Sequence, residues 1–245
     1  MGNMQPHLCL DDSVRAGCAL LPGDPKRIDR IKPFLENAQE LAYNREFRSV
    51  RGTYKGVEVL AVSTGIGGAS AAIAVEELRN IGVTHMIRIG SCGALQKDIG
   101  LGDLILVSGA VRDDGASKMY IDPIYPAVAD TDLLLACREA AALLGARTHI
   151  GLARSHDSFY TDHEEERHDK WQKAGVLGCD METAALFTVG RLRGVKAMSI
   201  LNNVVLAGED TADSIGEYVE GESLTARGER LEILTALEAF ARCHG

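Results

Sequence analysis

Short apolar runs and longer amphipathic stretches follow one another along the chain. Gly17–Pro22 is apolar throughout and reads as a buried strand ending at Gly23-Asp24. Asp24-Pro25 then opens a helix, with Asp as N-cap and Pro in the first helical position. From Glu40 to Thr64 the pattern is that of strands broken at Lys55-Gly56. The last of them, Val57–Gly65, feeds a glycine-rich turn, Gly65-Ile66-Gly67-Gly68, and a helix over 69–80. A strand at His85–Ile89, a second glycine turn at Gly90–Gly93 and a strand at Leu104–Gly109 come next. The second half repeats the alternation: helices over 131–145, 164–173, 181–193 and 222–243, and strands over 148–152 and 196–205. Strands alternating with helices imply a mostly parallel sheet covered on both faces. The acidic, small-residue stretch 207–223 reads as a surface loop or flap.

Composition narrows the picture. With 245 residues, one Trp and five Phe, the chain suits closely packed helices on a sheet in one α/β domain spanning 1–245. Its 26 basic and 35 acidic residues give a net charge of -9 and no basic run, which argues against a nucleic-acid partner. An anionic ligand must therefore be met by a few placed arginines. No apolar stretch reaches membrane-spanning length (about 18 residues), and the first residues lack a secretory pattern, so a cytoplasmic protein with no membrane partner is expected. The six cysteines form no C-x-x-C pair and read as reduced, buried thiols; their spacing supports no metal site. His163 and His168 are five apart and point to different helix faces, unlike a zinc-binding helix.

Three strand-to-turn junctions carry the candidate chemistry: Pro22–Arg27, Thr64–Ser70 and Arg88–Ala94. In an open α/β sheet, ligands bind beyond the carboxyl ends of the strands. Glycines there let backbone amides approach an anion, and a following helix N-terminus adds partial positive charge. Two of the junctions bring an arginine, Arg27 and Arg88, able to grip two phosphate oxygens at once, unless each is taken by a carboxylate. Thr64–Ser70 nearly matches a dinucleotide-binding turn, but the acidic ribose ligand expected some twenty residues on is missing. Asp180-Met181-Glu182 precedes a helix. Its carboxylates are either caps or acceptors, and Glu182 could take two hydrogen bonds from a vicinal diol.

The series PGDPKR (22–27), STGIGGAS (63–70), RIGSCGAL (88–95) and DMETAAL (180–186), with NREF (44–47), DGAS (114–117) and YPAVAD (125–130), resembles the uridine phosphorylase branch of the nucleoside phosphorylases. The resemblance implies a central mixed, partly closed sheet flanked by helices, in dimers that usually group into hexamers. It implies phosphate contacts from Gly23, Arg27, Arg88 and Ser91, with Arg45 lent by a neighbouring subunit. It assigns the ribose to Met181, Glu182 and a histidine, His7, also lent across the interface. Cys92, Gly93 and Phe159 fall on base-lining positions. Phosphate and a nucleoside are then the partners, and no metal or organic cofactor is required.

The base-reading segment departs from the uridine pattern. Counting from Phe159, His163 and Glu165 stand where the family has a glutamine and an arginine, with Arg167 as a replacement candidate. Purine enzymes of the superfamily carry a proton-donating aspartate after the late strand. Here that region reads Leu201-Asn202-Asn203, and Asn203 can hydrogen-bond either a purine or a uracil edge. A purine nucleoside phosphorylase, a nucleoside hydrolase and a non-catalytic nucleoside-binding protein stand as alternatives.

Overall fold

The computed structural model describes residues 4–162, 164–209 and 223–244. The proposed flap therefore lies almost wholly outside the described residues, as does His163.

Ten strands form one sheet: β1 (Cys18–Pro22), β2 (Glu36–Asn44), β3 (Phe47–Tyr54), β4 (Val57–Val62), β5 (His85–Ala94), β6 (Leu104–Asp113), β7 (Ala127–Val128), β8 (Thr148–His156), β9 (Gly178–Asp180) and β10 (Lys196–Val205). An open wing, β2-β3-β4-β1, runs up to β5. From β5 the order continues through β9, β8, β6 and β10, and β10 pairs back onto β5, closing that half of the sheet into a ring. This is the mixed, partly closed sheet that the resemblance implies. The mostly parallel sheet expected from strand–helix alternation is not what forms: among the described residues, half of the strand pairings are antiparallel. The reason is local in the open wing. The connections β2–β3 and β3–β4 are two residues long, too short for a crossover, with positive φ at Arg45 (55°), Lys55 (48°) and Gly56 (83°).

The helices are α1 (Arg27–Ile31), α2 (Gly68–Asn80), α3 (Ala116–Tyr120), α4 (Thr131–Leu143), α5 (Glu164–Lys173), α6 (Thr183–Leu192) and α7 (Leu224–His244). Asp130 caps α4 as N-cap residues do, its side chain accepting from the amides of Asp132 and Leu133. Asp24 does not cap a helix at Pro25. Its side chain accepts from Lys26 N in a turn, and α1 begins only at Arg27. No described helix is long and apolar enough to cross a membrane.

Helix α2 packs on α6, and α4 packs on α7. The two pairs lie on opposite faces of β10. Ser199 meets Thr183 of α6, whereas the next polar position, Asn202, donates to Thr225 O of α7. The core between these layers is aliphatic, with Leu20, Leu60, Ile87, Ile200 and Leu237 fully buried.

Helix α7 comes close to the sheet through Gly228. A Cβ there would overlap Asn202 Oδ1 and lie 2.7 Å from Gly102 Cα. In an exposed helix, Gly→Ala stabilises by about 1 kcal/mol. At this position overpacking opposes the helix propensity and is larger, so Gly228→Ala is expected to destabilise by about 1–3 kcal/mol. A urea denaturation midpoint equal to or above that of the parent would contradict this packing.

Candidate active site

Strand β5 organises the site. Along one edge it pairs with β10 over nearly its whole length. Along the other it pairs with β1 through Ile89 and then with β9 from Gly93, so the sheet forks at Gly90-Ser91-Cys92. The glycine turn expected at Gly90–Gly93 is thus continuous strand. Gly90 is needed for another reason. A Cβ there would stand 2.5 Å from Arg88 Nη2, because the Arg88 side chain folds back over its own strand.

Side chains alternate across β5, so Arg88 and Ser91 leave on opposite faces. Arg88 is buried and meets the segment before α6. Its Nε donates to Asp180 Oδ2 at 3.0 Å, and its Nη2 pairs with Glu182 Oε2 at 2.5 Å. Arg88 Nη1 is buried without a hydrogen-bond partner. Ser91 accepts a 3.1 Å hydrogen bond from Arg27 Nη2 on the other face, where Arg27 Nη1 also donates to Ile89 O.

The two acidic residues before α6 divide the roles that the sequence left open. Asp180 is the cap. It accepts from Thr183 N at 3.0 Å and from Thr183 Oγ1 at 2.6 Å, and Ser155 Oγ donates to its other oxygen at 2.6 Å. Glu182 stands at the start of α6 but caps nothing within it. Its Oε1 instead takes the Gly67 amide, at the entrance to α2, at 2.6 Å. Burial pushes the Glu182 pKa up, against the pull of Arg88. Thr64 N donates to Pro22 O and Gly65 N to Gly23 O, so the first two glycine-bearing junctions lie side by side. Gly65 and Gly67 have φ of 70° and 93°, values that favour glycine.

Both arginines do pair with carboxylates, the alternative weighed from the sequence, yet they remain at one locus. Arg27 Nη1 bonds Glu232 at 3.1 Å, and Arg27 Nε lies 3.7 Å from Glu229, both from α7. Glu232 also accepts from the Gly90 amide and lies near Arg88. The sequence reading passed over Glu229 and Glu232, although a signal was present. In 229, 232, 233, 236, 237 and 240 the two glutamates share the buried stripe of an amphipathic helix. Complete burial lifts the Glu232 pKa to about 8 in spite of the Arg27 pair, because desolvation outweighs the attraction. Asp180 was read as a cap but not as an anchor of Arg88, and nothing in the pattern marked Ser155.

The remaining expected site residues are dispersed within the chain. His7 is held by Glu77 of α2, Nδ1 to Oε1 at 2.6 Å, and Arg45 is exposed in the β2–β3 turn. Neither is bonded to Arg27, Arg88 or Glu182. Met181 is half-buried beside Glu182, whose carboxylate takes the Met181 amide. Cys92 is buried on the Arg88 face, and burial holds its thiol neutral, well above the usual range. Gly93 stands where β9 joins β5. Asn203, in register with Cys92, is buried and donates to Gly100 O at 3.1 Å. Phe159 follows β8 and meets the Tyr160 ring edge-on at 4.9 Å. Arg167 is exposed on α5, and the Glu165 side chain is not among those described.

A model of the phosphorylase superfamily matches residues 18–230, a span that contains the whole Arg27–Arg88–Glu182 cluster. The chain belongs to the phosphorylase superfamily. It is similar to a uridine phosphorylase from Thermococcus kodakarensis, 40% identical over 94% of this chain and 87% of the relative. A guanosine phosphorylase from Halorubrum lacusprofundi is 40% identical over 88% of this chain and 90% of the relative. A solved uridine phosphorylase from Vibrio fischeri superposes with a TM-score of 0.91 at 47% identity, over 98% of each chain. In this phosphorylase, then, the paired junctions, the arginines and the acidic segment before α6 form one assembly with the C-terminal helix.

The Glu232 pKa carries a stability signature. Between the ordinary carboxylate range, near 4.5, and about 8, the folded chain holds a proton at Glu232 that the unfolded chain has lost. This contribution to stability is therefore complete at low pH and is lost as pH rises through that window. Glu232→Gln is expected to flatten the fall, read as the pH dependence of the denaturation midpoint. A variant profile with the parent's slope between pH 5 and 8 would refute the assignment.

Proposed function

We propose that the chain is a nucleoside phosphorylase, a pentosyltransferase that splits uridine or a related pyrimidine nucleoside with inorganic phosphate into free base and ribose 1-phosphate. One observation carries this reading. A buried Arg88 bonds the prospective diol acceptor Glu182 while its own Nη1 is without a partner, and Arg27 and Ser91 stand across the same strand.

In this reading phosphate enters against Gly23 and Ser91 and is held by Arg27 and Arg88. Glu182 takes the 2′- and 3′-hydroxyls, with Met181 against the sugar. Cys92, Gly93, Phe159 and Asn203 line the base. Arg45 and His7 complete the phosphate and 5′-hydroxyl contacts from a neighbouring copy, in a homodimer or a hexamer of three dimers. That arrangement accounts for their surface positions, away from the cluster in their own chain. The chain works as one domain in the cytoplasm and needs no metal or cofactor for this reaction.

Bond breaking leaves positive charge on C1′ and the ring oxygen. A phosphate held beside C1′ stabilises that charge and then attacks. Catalysis comes from orientation and electrostatics: the guanidiniums are fixed before phosphate arrives, so little reorganisation accompanies the transition state.

Guanosine is the second substrate to test, since a guanosine phosphorylase is as similar in identity as a uridine enzyme. Uridine, 2′-deoxyuridine and guanosine are incubated with and without phosphate, and free base and sugar 1-phosphate are measured. Phosphate-dependent uridine cleavage is expected; base release indifferent to phosphate would replace the proposal with hydrolysis. Arg88→Ala should lower kcat by roughly 10²–10³-fold, the scale for losing a preorganised charged donor. Glu182→Ala should cost uridine about tenfold or more beyond its cost to 2′-deoxyuridine, which has already lost one partner of the carboxylate. Equal losses on the two substrates would remove Glu182 from the diol.

A further inference from the structure

Cys18 and His85 open β1 and β5 and are direct neighbours in register, at the ends of the strands opposite the fork. The last turn of α7 brings His244 onto them. The His85 and His244 rings meet edge-on, with centroids 4.5 Å apart and planes at 78°. The Cys18 sulfur and the two imidazoles present ligand atoms all within 4.8 Å of one another. These residues are 67 and 159 positions apart in sequence, which is why their spacing gave no hint of a site.

The surroundings fit metal ligation. Thr84 Oγ1 lies 2.9 Å from His85 Nδ1, a contact that holds one edge of the ring and leaves Nε2 as the other ligand atom. Lys196 lies near both His85 and Cys243, while Asp130 and Asp132 flank it and offset its charge.

We propose that Cys18, His85 and His244 form a zinc-class metal site, with water as the fourth ligand. Thiolate and imidazole donors select a borderline-soft ion such as Zn²⁺ over Mg²⁺ or Ca²⁺. Tetrahedral zinc, with bonds of about 2.0–2.3 Å, needs its ligand atoms roughly 3.5 Å apart. The three groups must close by about 1 Å on binding. Binding releases the Cys18 thiol proton to solvent, and the metal stabilises the thiolate that remains. The ion would clasp the end of α7 to the start of β1 and β5. The same helix carries Glu229 and Glu232 to Arg27.

The test titrates Co²⁺ into the reduced, chelator-stripped full chain. One equivalent should give a thiolate-to-cobalt charge-transfer band with the ligand-field bands of tetrahedral cobalt, and Zn²⁺ should displace it. In His244→Ala, a surface change with little bearing on folding, the one-equivalent site should be lost. So should the rise in Tm that Zn²⁺ gives the parent chain. Absence of the charge-transfer band in the parent, or its survival at the same stoichiometry in His244→Ala, would overturn the proposal.

Discussion

Everything at the site depends on holding guanidinium charge inside the protein without exposing it to water. Arg88 and Arg27 are both buried, and each is paid for by carboxylates from a different helix: Asp180 and Glu182 from the start of α6, Glu229 and Glu232 from α7. Buried ion pairs contribute little net stability, because desolvation consumes most of the attraction. Their value here is positional. An arginine fixed by two anchors meets an incoming anion with its orientation already set, and the unmatched Nη1 of Arg88 is the part of that charge not spent on the protein itself.

The sheet is built to deliver this arrangement. Because β5 is bordered by β10 along one edge and divides its other edge between β1 and β9, it belongs at once to the open wing and to the closed ring. Its two faces look toward α6 and α7, so one strand sends Arg88 and Ser91 to different helices yet keeps them three residues apart. The meander β2-β3-β4 adds the exposed turn bearing Arg45, and the N-terminal segment brings His7 alongside it through Asn44, which donates to His7 O at 2.8 Å.

Elements with strong periodicity or caps were legible from the sequence: β1, β4, β10, α2, α4 and α7 all lie within a few residues of their expected positions. So were Arg27, Arg88 and Glu182, which the structure gathers at one place, whereas Arg45 stands apart. Closure of the sheet was not legible from alternation, since it depends on a long-range pairing of β10 with β5 that no local pattern encodes; it came only with the resemblance. Gly90-Ser91-Cys92-Gly93 reads as a turn because glycine is the commonest sign of one. At Gly90 the residue is small for a different reason, the Arg88 side chain lying against it. Asp180 and Glu182 were indistinguishable as cap and ligand, because both sit next to a helix start and only coordinates reveal where each oxygen points. The cysteines were read as uniformly buried, but Cys9 and Cys243 are exposed.

At the fork, backbone that would normally join a neighbouring strand has no strand beside it. Arg27 donates to the Ile89 carbonyl and Glu232 accepts from the Gly90 amide, so two side chains stand in for the missing ladder rungs. The C-terminal helix therefore closes a seam in the sheet as well as balancing charge. A chain ending before that helix would retain each residue assigned to phosphate and sugar, yet its central strand would be left unzipped beside an uncompensated arginine.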